Sequence, residues 1–254
     1  MLIIERHQKL LELLRERRTM QLEPLAEAVG VSVSTVRRDL EALEEQGVVE
    51  RTHGGAVYRG PQQHSIVFAD RLQERVDQKQ AIGRRAARWV QPHMTVLLDG
   101  GSTVYHTAER IDARPIQVVT SSLAIAQLFA DDEQVELMVI GGNLYPRSGV
   151  MVGPIATRCL ADLHADLLLF SLAGVYDDEC YNQNLAMAEV EQAMMRQAAR
   201  SILLMDSSKF GRKSLARVCS AGDVESIVTD ADISDRWRNR FGEQLIVADN
   251  ASRA

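Results

Sequence analysis

VSVSTVRRDLEALEEQGVVERTHGGA, residues 31–56, is the stretch on which the reading of this chain turns. It opens on serines, and an oxygen of Ser32 or Ser34 can accept from the free N–H groups of a first helical turn. Val33, Val36, Leu40 and Leu43 then recur at helical spacing and form one apolar face. Ser34, Thr35, Arg37, Arg38 and Glu41 lie away from that face, and Gly47 is placed to stop the helix. Two short strands follow, 48–51 and 56–59, with residues 52–55 as the turn and Gly54-Gly55 supplying positive φ.

Upstream, Ile3, His7, Leu10, Leu11 and Leu14 give residues 3–17 a helical period, with Arg15, Arg17 and Arg18 in the last turn, where cations suit the helix dipole. A shorter helix comes next. Pro24 fits its first turn, Leu25, Ala26 and Val29 form its apolar side, and Gly30 can take the left-handed conformation that ends it. Two helices joined by a short turn, the second exposing polar side chains near its start, have the geometry that enters a major groove. Ser34, Thr35, Arg37 and Arg38 are therefore the candidates for DNA contact, arginine for guanine edges and the hydroxyls for phosphates or bases. On spacing alone the alternative is a solvated face, with Arg37 and Arg38 paired to Asp39 and Glu41. The cationic hairpin directly behind the helix, carrying Arg51 and His53, favours a winged helix-turn-helix.

The 254 residues leave room for two domains, and 46% hydrophobic with 25% charged residues is the balance of a globular protein. The net charge is −6, and residues 1–60 hold nine Lys/Arg against ten Asp/Glu. DNA affinity must then come from a few placed cations rather than a basic field. Cys159, Cys180 and Cys219 form no CxxC pair, so reduced thiols are expected and neither a disulfide framework nor a metal site. Charge is interleaved from the first residues, and the longest apolar run, near 167–175, is too short for a bilayer. A soluble, cytoplasmic protein with no membrane partner is expected.

Residues 58–63 lose periodicity and gain turn formers, which marks a domain boundary. One helical pattern then runs from Phe68 through Leu72, Val76, Ile82 and Ala86 to Trp89, ending at Pro92. Its cations, Arg71, Arg75, Lys79, Arg84, Arg85 and Arg88, read as solvated. Beyond residue 93, seven short runs rich in branched residues (95–98, 117–120, 136–140, 167–171, 202–205, 226–229, 245–248) alternate with helix-length segments. That alternation predicts a mostly parallel sheet covered by helices, with ligands at the carboxyl ends of strands. Four loops stand at those ends: Asp99-Gly100-Gly101-Ser102-Thr103, Thr120-Ser121-Ser122, Gly141-Gly142 and Asp206-Ser207-Ser208-Lys209. The glycine-bearing turn at Asp99 offers N–H groups to a phosphate. None matches a dinucleotide or P-loop pattern, so no cofactor is expected. Singly each is an ordinary strand-to-helix turn; together on one sheet edge they support one another.

The TxRRDL block at 35–40 and RxHGGA at 51–56, with Arg6, Leu25-Ala26, Val31-Ser32, Leu43 and Gly47, resemble the DNA-binding domain of the DeoR family of bacterial transcription regulators over residues 6–58. Residues 75–235 are similar to that family's C-terminal effector domain, which is related in fold to ribose-5-phosphate isomerase. The resemblance implies an α/β chain with a winged helix-turn-helix at 1–58, a linker at 59–74, a sensor at 75–235 and a segment at 236–254 completing the sheet. It implies double-stranded operator DNA and a phosphorylated sugar as partners, in a homo-oligomer, dimer or tetramer. The effector would sit on Asp99–Thr103 at the phosphate loop, Thr120-Ser121, Gly141-Gly142, Gly174 facing the sugar, and Lys209 in DSSKFG. The chain departs from the family pattern at Ser121, where asparagine is usual, and across residues 177–183, which lack the customary Gly-Leu. A third departure is Glu191, where many relatives carry lysine in AEVK.

The expected function is a regulator, a repressor of a carbohydrate operon released by a sugar phosphate, without catalysis. One rival is a sugar-phosphate isomerase with an attached DNA-binding domain, using Asp99, Asp206 and Lys209 as base and cation. Another is a constitutive DNA-binding protein whose α/β domain only oligomerises.

Overall fold

A computed structural model describes residues 3–17, 19–45, 49–52, 54–58 and 67–249 of the chain, which divides into two units, Met1–His64 and Ser65–Ala254. The first unit runs α1 (Ile3–Arg17), β1 (Thr19–Gln21), α2 (Leu22–Val29), α3 (Val33–Glu45), β2 (Val49–Thr52) and β3 (Gly55–Tyr58). Leu10 and Leu14 of α1, Leu25 and Val29 of α2, and Val36, Leu40 and Leu43 of α3 meet in one core, closed by Val49, Ala56 and Tyr58. Gly30, at φ 69°, takes the left-handed cap of α2. Ser32 rather than Ser34 caps α3, its Oγ accepting from the Thr35 N–H at 3.3 Å. The side chains of Arg15 and Arg18, the helix stop at Gly47, and His53 and Arg59 lie outside the described residues.

Strand β1 was not expected. It pairs antiparallel with β3, giving the wing a third strand in the order β1-β3-β2. This changes the reason for the glycines at the turn. Neither Gly54 nor Gly55 has positive φ; instead a Cβ on Gly55 would collide with the Met20 carbonyl of β1. Glycine is there to let two backbones approach.

Helix α3 is fastened to α1 by charge as well as by packing. Arg6 spans both Asp39 oxygens, Nε to Oδ2 at 2.6 Å and the second nitrogen to Oδ1 at 3.0 Å, and His7 Nε2 adds a contact at 3.0 Å. Burial alone would raise the Asp39 carboxyl, but the hydrogen bonds from Arg6 and His7 outweigh it and hold the group below its ordinary range.

The second unit begins with α4 (Phe68–Gln73) and α5 (Val76–Ala87), followed by β4 (Thr95–Leu98), α6 (Ser102–Ala108), β5 (Ile116–Thr120) and α7 (Leu123–Phe129). It continues with β6 (Val135–Val139), β7 (Asn143–Tyr145), β8 (Val150–Val152), α8 (Pro154–Ala161), β9 (Leu167–Phe170), β10 (Gly174–Tyr176) and β11 (Glu179–Asn182). The last elements are α9 (Leu185–Gln197), β12 (Ser201–Leu204), β13 (Ala216–Ser220), β14 (Ser226–Asp230), α10 (Asp235–Phe241) and β15 (Leu245–Ala248). All seven apolar runs join one parallel sheet, ordered β15-β14-β12-β9-β4-β5-β6. Its side chains alternate between two cores. Leu97, Leu168, Phe170 and Leu203 face α8 and α9 through Leu160 and Met194, while Val96, Leu98, Leu169 and Ile202 face α5, α6 and α7 through Ile82, Val104 and Ile125. Burial on both faces explains why the inner strands β4, β9, β12 and β14 read as continuous apolar runs, whereas Met138 and Val139 of edge strand β6 are exposed. The hairpin β7-β8 and the antiparallel sheet β10-β11-β13 are additions to that frame. On the latter, Cys180 and Cys219 face each other across β11 and β13 as buried free thiols.

The single helix expected over 68–89 is two. The chain breaks at Glu74-Arg75, where Arg75 takes φ 52°, ψ 45°. That turn aims its guanidinium at Ser207 Oγ (2.9 Å), Asp232 (2.9 Å), Asp206 (3.3 Å) and Asp230 (3.5 Å). The expected solvation of this segment's cations holds for exposed Arg88 but fails at Lys79, which is only 3% exposed, and at Arg71 and Arg75, which are partly buried.

Two outcomes follow from the packing of α3. Leu40→Ala, at a fully buried position, is expected to cost about 2–5 kcal/mol in urea unfolding. The Asp39 contribution is fully present above the ordinary aspartate pKa of about 4 and is lost as pH falls through its lowered native value. The stability gap between wild type and Asp39→Asn should therefore be wide at neutral pH and narrow as the solution is acidified, as measured by urea midpoints across that range.

Candidate functional site

On the first unit, Ser34, Arg37 and Arg38 are exposed on α3 and Thr35 is half-buried beside them. The Ser34 and Thr35 hydroxyls both lie 2.9 Å from Ser32 Oγ, so one serine orders the start of the helix and the two polar groups beside it. The self-paired alternative is not what the structure contains. Asp39 is taken by Arg6 and His7, and Glu41 lies 3.4 Å from Arg51, so neither carboxylate engages Arg37 or Arg38. Arg51 belongs to the wing's own fastening: its Nε donates to Glu44 Oε2 at 2.7 Å and its backbone N–H to Glu44 Oε1 at 2.9 Å. Arg37, Glu44, Arg51 and Thr52 line a groove between α3 and the wing.

On the second unit, the carboxyl ends of β4, β9, β12 and β14 bring together Asp99, Ser171, Asp206 and Asp230. Asp99 is buried. Its Oδ2 accepts from the Ser171 N–H at 3.2 Å, and the Gly100 N–H also reaches the carboxylate. Burial nevertheless pushes this carboxyl up. Lys209 Nζ donates to Ser171 Oγ at 3.0 Å, and burial pushes its ammonium down. The two expected ends of the site, the Asp99 loop and the DSSKFG lysine, therefore meet at Ser171.

The remaining expected residues divide by contact. A Cβ on Gly100 would strike Val150 Cγ1, and one on Gly101 would lie 2.7 Å from Ser171 Cβ, so both glycines permit close packing under the loop. Ser102 and Thr103 are buried at the start of α6, and Thr103 Oγ1 has no hydrogen-bond partner. Thr120 is spent on structure, donating to the Leu98 carbonyl at 2.7 Å and accepting from the Ser122 N–H at 3.1 Å. Ser121 is buried, and its carbonyl accepts from Met151. Gly141 and Gly142 pack against Ile155, Val152 and Ala156, with Gly142 at φ 151°. Gly174 lies against the Arg212 carbonyl, where a Cβ would come within 2.5 Å.

Four charged members of the cluster were not expected in the site: Arg71, Arg75 and Lys79 were read as solvated, and Glu191 was singled out only as a departure from the family pattern. Arg71 of α4 donates to Ser148 Oγ at 3.3 Å, and its buried Nε has no partner. Lys79 of α5 donates to the Arg71 carbonyl. Burial first, and then the nearby Lys209, push its ammonium down to about 8. Arg75 anchors the joint between the two helices. Glu191 of α9 is 1% exposed and beside Asp99. A signal for Lys79 existed: it lies three and seven residues before the buried Ile82 and Ala86, on the same helical stripe.

Arg71, Lys79 and Lys209 thus crowd one another, each depressed chiefly by burial and further by a cationic neighbour or neighbours for the two lysines. Such a group gains by receiving an anion. Among the described residues no group of His, Cys, Asp or Glu is placed to hold a metal ion, and no helix is long and apolar enough to cross a membrane.

Known proteins fit both halves. The DeoR-like helix-turn-helix domain matches residues 6–62 and the DeoR C terminal sensor domain matches residues 74–231. The L-fucose operon activator of Escherichia coli (strain K12) is 33% identical over 228 residues, covering 89% of this chain and 94% of its own. The lactose phosphotransferase system repressor of Streptococcus mutans is 28% identical over 235 residues, covering 91% and 94%. Among solved structures, a D-ribose-5-phosphate isomerase in complex with phospho-erythronic acid aligns over 52% of each chain at 16% identity and a TM-score of 0.39.

The chain has four lysines, at 9, 79, 209 and 213. Titration followed by lysine 13Cε NMR should show one resonance with a midpoint near 8, absent from Lys79→Arg. Inorganic phosphate should raise that midpoint, because an added anion favours the charged ammonium.

Proposed function

This chain belongs to the DeoR family of DNA-binding transcription regulators, and from that we propose that it represses a carbohydrate operon and is released by a phosphorylated sugar. The observation that carries the effector's class is the convergence of Arg71, Lys79 and Lys209 at the strand ends, with Arg71 Nε buried and unpartnered. A phosphate monoester answers such a cluster with charge and several acceptor oxygens. Phosphate oxygens contact these cations and the N–H groups of the Asp99–Thr103 loop. The sugar lies toward Ser171 and the carboxyl groups of Asp99 and Glu191. Relatives named for fucose and lactose systems support sugar as the remainder of the molecule.

DNA is read by the exposed face of α3. Among the described residues no carboxylate pairs with Arg37 or Arg38, which supply the specific contacts, with Ser34 and Thr35 at the helix start. Arg51 acts through the wing, since Glu44 holds its guanidinium; His53 is proposed from the sequence motif alone. Two copies of the chain present their α3 helices to repeated half-sites, and the effector shifts the protein toward an arrangement with lower operator affinity.

Binding to the promoter fragment of the chain's own operon, followed by fluorescence anisotropy with and without sugar phosphates, tests this reading. Arg38→Ala is expected to lose about 1–3 kcal/mol of specific binding, and unchanged affinity would remove it from the interface. Lys209→Ala is expected to bind the fragment as wild type does in the absence of effector, and to need a much higher sugar phosphate concentration for release. Release unaffected by any phosphorylated sugar would leave the α/β unit as an oligomerisation module.

A further inference from the structure

Glu191 stands at the edge of the cation cluster with one oxygen satisfied and the other not. Its side chain is 1% exposed. Oε1 accepts from Asn182 Nδ2, while Oε2 is buried without a partner. The orientation of Asn182 is fixed independently, because its own Oδ1 accepts from the Asn184 N–H at 3.2 Å. The amide therefore turns its NH2 toward Glu191, and Oε1 can only accept. The carboxyl as a whole lies within electrostatic reach of the site and of the β13 thiol: Asp99, Cys219 and Lys209 act on it, and it acts on Arg71. A buried polar oxygen left without a partner costs free energy, and a group on a bound molecule would relieve it.

We propose that Glu191 selects the sugar end of the effector, its free Oε2 donating a hydrogen bond to a hydroxyl or carbonyl oxygen of the ligand. This rests on the reading of the cluster as a sugar-phosphate site, and it concerns the end of the ligand away from the phosphate. Donation rather than acceptance follows from the surroundings. Burial, and then the adjacent Asp99, push the Glu191 carboxyl well above its ordinary range and so favour its protonated form. With Oε1 committed to the Asn182 donor, that proton sits on Oε2. A phosphate at Arg71, Lys79 and Lys209 adds negative charge nearby and favours the protonated acid further. Glutamate thus serves here as a neutral donor of fixed direction, where the family's lysine would add another cation.

The chemistry makes a sharp distinction between two replacements. Glutamine keeps an acceptor for Asn182 and places an NH2 where the Oε2 hydroxyl was, so Glu191→Gln preserves the donor. Glu191→Met keeps the volume and removes both polar groups. Calorimetric titration of the full chain uses inorganic phosphate, which reaches only the cation end, and four sugar phosphates: ribose 5-phosphate, glucose 6-phosphate, fructose 1-phosphate and fructose 6-phosphate. For the tightest of the four, Glu191→Gln is expected to bind within about threefold of wild type and Glu191→Met at least tenfold more weakly. Both should bind inorganic phosphate as wild type does. Three results would overturn the assignment. If Glu191→Met binds the sugar phosphate as wild type does, there is no contact. If phosphate and sugar phosphate weaken in parallel, the role is structural. If Glu191→Gln loses as much as Glu191→Met, Oε2 is an acceptor, as an amine or hydroxyl donor on the ligand would require. Wild-type protein that binds neither phosphate nor any of the four overturns the site reading itself, a result distinct from these three.

Discussion

A carboxylate withdrawn from water must be met by a cation or a proton, and that requirement fixes the geometry of both units. In the first, Asp39 is met by Arg6 and His7, and the pairing sets α3 against α1. In the second, Asp206 and Asp230 are met by Arg75, and burial pushes the Glu191 carboxyl well up, toward its protonated form. Desolvating an ion costs several kcal/mol unless its partner is well placed, so each pairing tolerates few alternatives. The consequence at the exposed face of α3 is specific. Because Asp39 and Glu41 are engaged elsewhere, Arg37 and Arg38 keep their guanidinium groups exposed to solvent. One motif, RRD, therefore divides its labour: the aspartate holds the helix in place and the arginines face outward.

How much of this was legible in the sequence depends on whether pattern or pairing decides an element. The inner strands β4, β9, β12 and β14 of the parallel sheet could be read because both of their faces are buried, leaving continuous apolar runs, while edge strand β6 was readable as a branched run although Met138 and Val139 are exposed. Two of the strands that were missed, Thr19–Gln21 and Asn143–Tyr145, are three residues long and mixed in polarity. Their neighbours define them, which intrinsic preference does not report. The break between α4 and α5 carries no glycine or proline; its cause is the set of aspartates that Arg75 reaches, all more than a hundred positions away in sequence.

The site shows the same division. Glycine-bearing loops at strand ends were visible, but visibility and role differ: Gly101 and Gly174 answer the close approach of Ser171 and Arg212. The cations that draw the loops into one site were read as solvent-facing because isolated charges usually are. Lys79 was the readable exception, in line with Ile82 and Ala86 on α5. Arg71 was not readable, since it belongs to a helix with no fully buried residue whose position is set by tertiary contacts.

Those contacts bear on how an effector could alter the protein. Helix α5 is clamped: it buries Ala81, Ile82 and Ala86, and Arg75 at its start is tied to three aspartates. Helix α4 has no fully buried residue, and its fastenings include the Phe68 N–H on the Arg147 carbonyl, Arg71 on Ser148, the Lys79 ammonium on the Arg71 carbonyl, the Leu72 carbonyl beside His106 and the Phe68 ring on Tyr105. A ligand changes an equilibrium only by its differential affinity for the two states. A hundredfold loss of operator affinity needs about 2.7 kcal/mol of coupling, which one or two charge-assisted hydrogen bonds of roughly 1.5–3 kcal/mol each can supply. On the proposed reading, Arg71 is where that difference arises. Its Nε is free, its neighbours are short-reach contacts, and a phosphate that recruits it changes the fastening of α4 while the aspartate clamp on α5 stays intact.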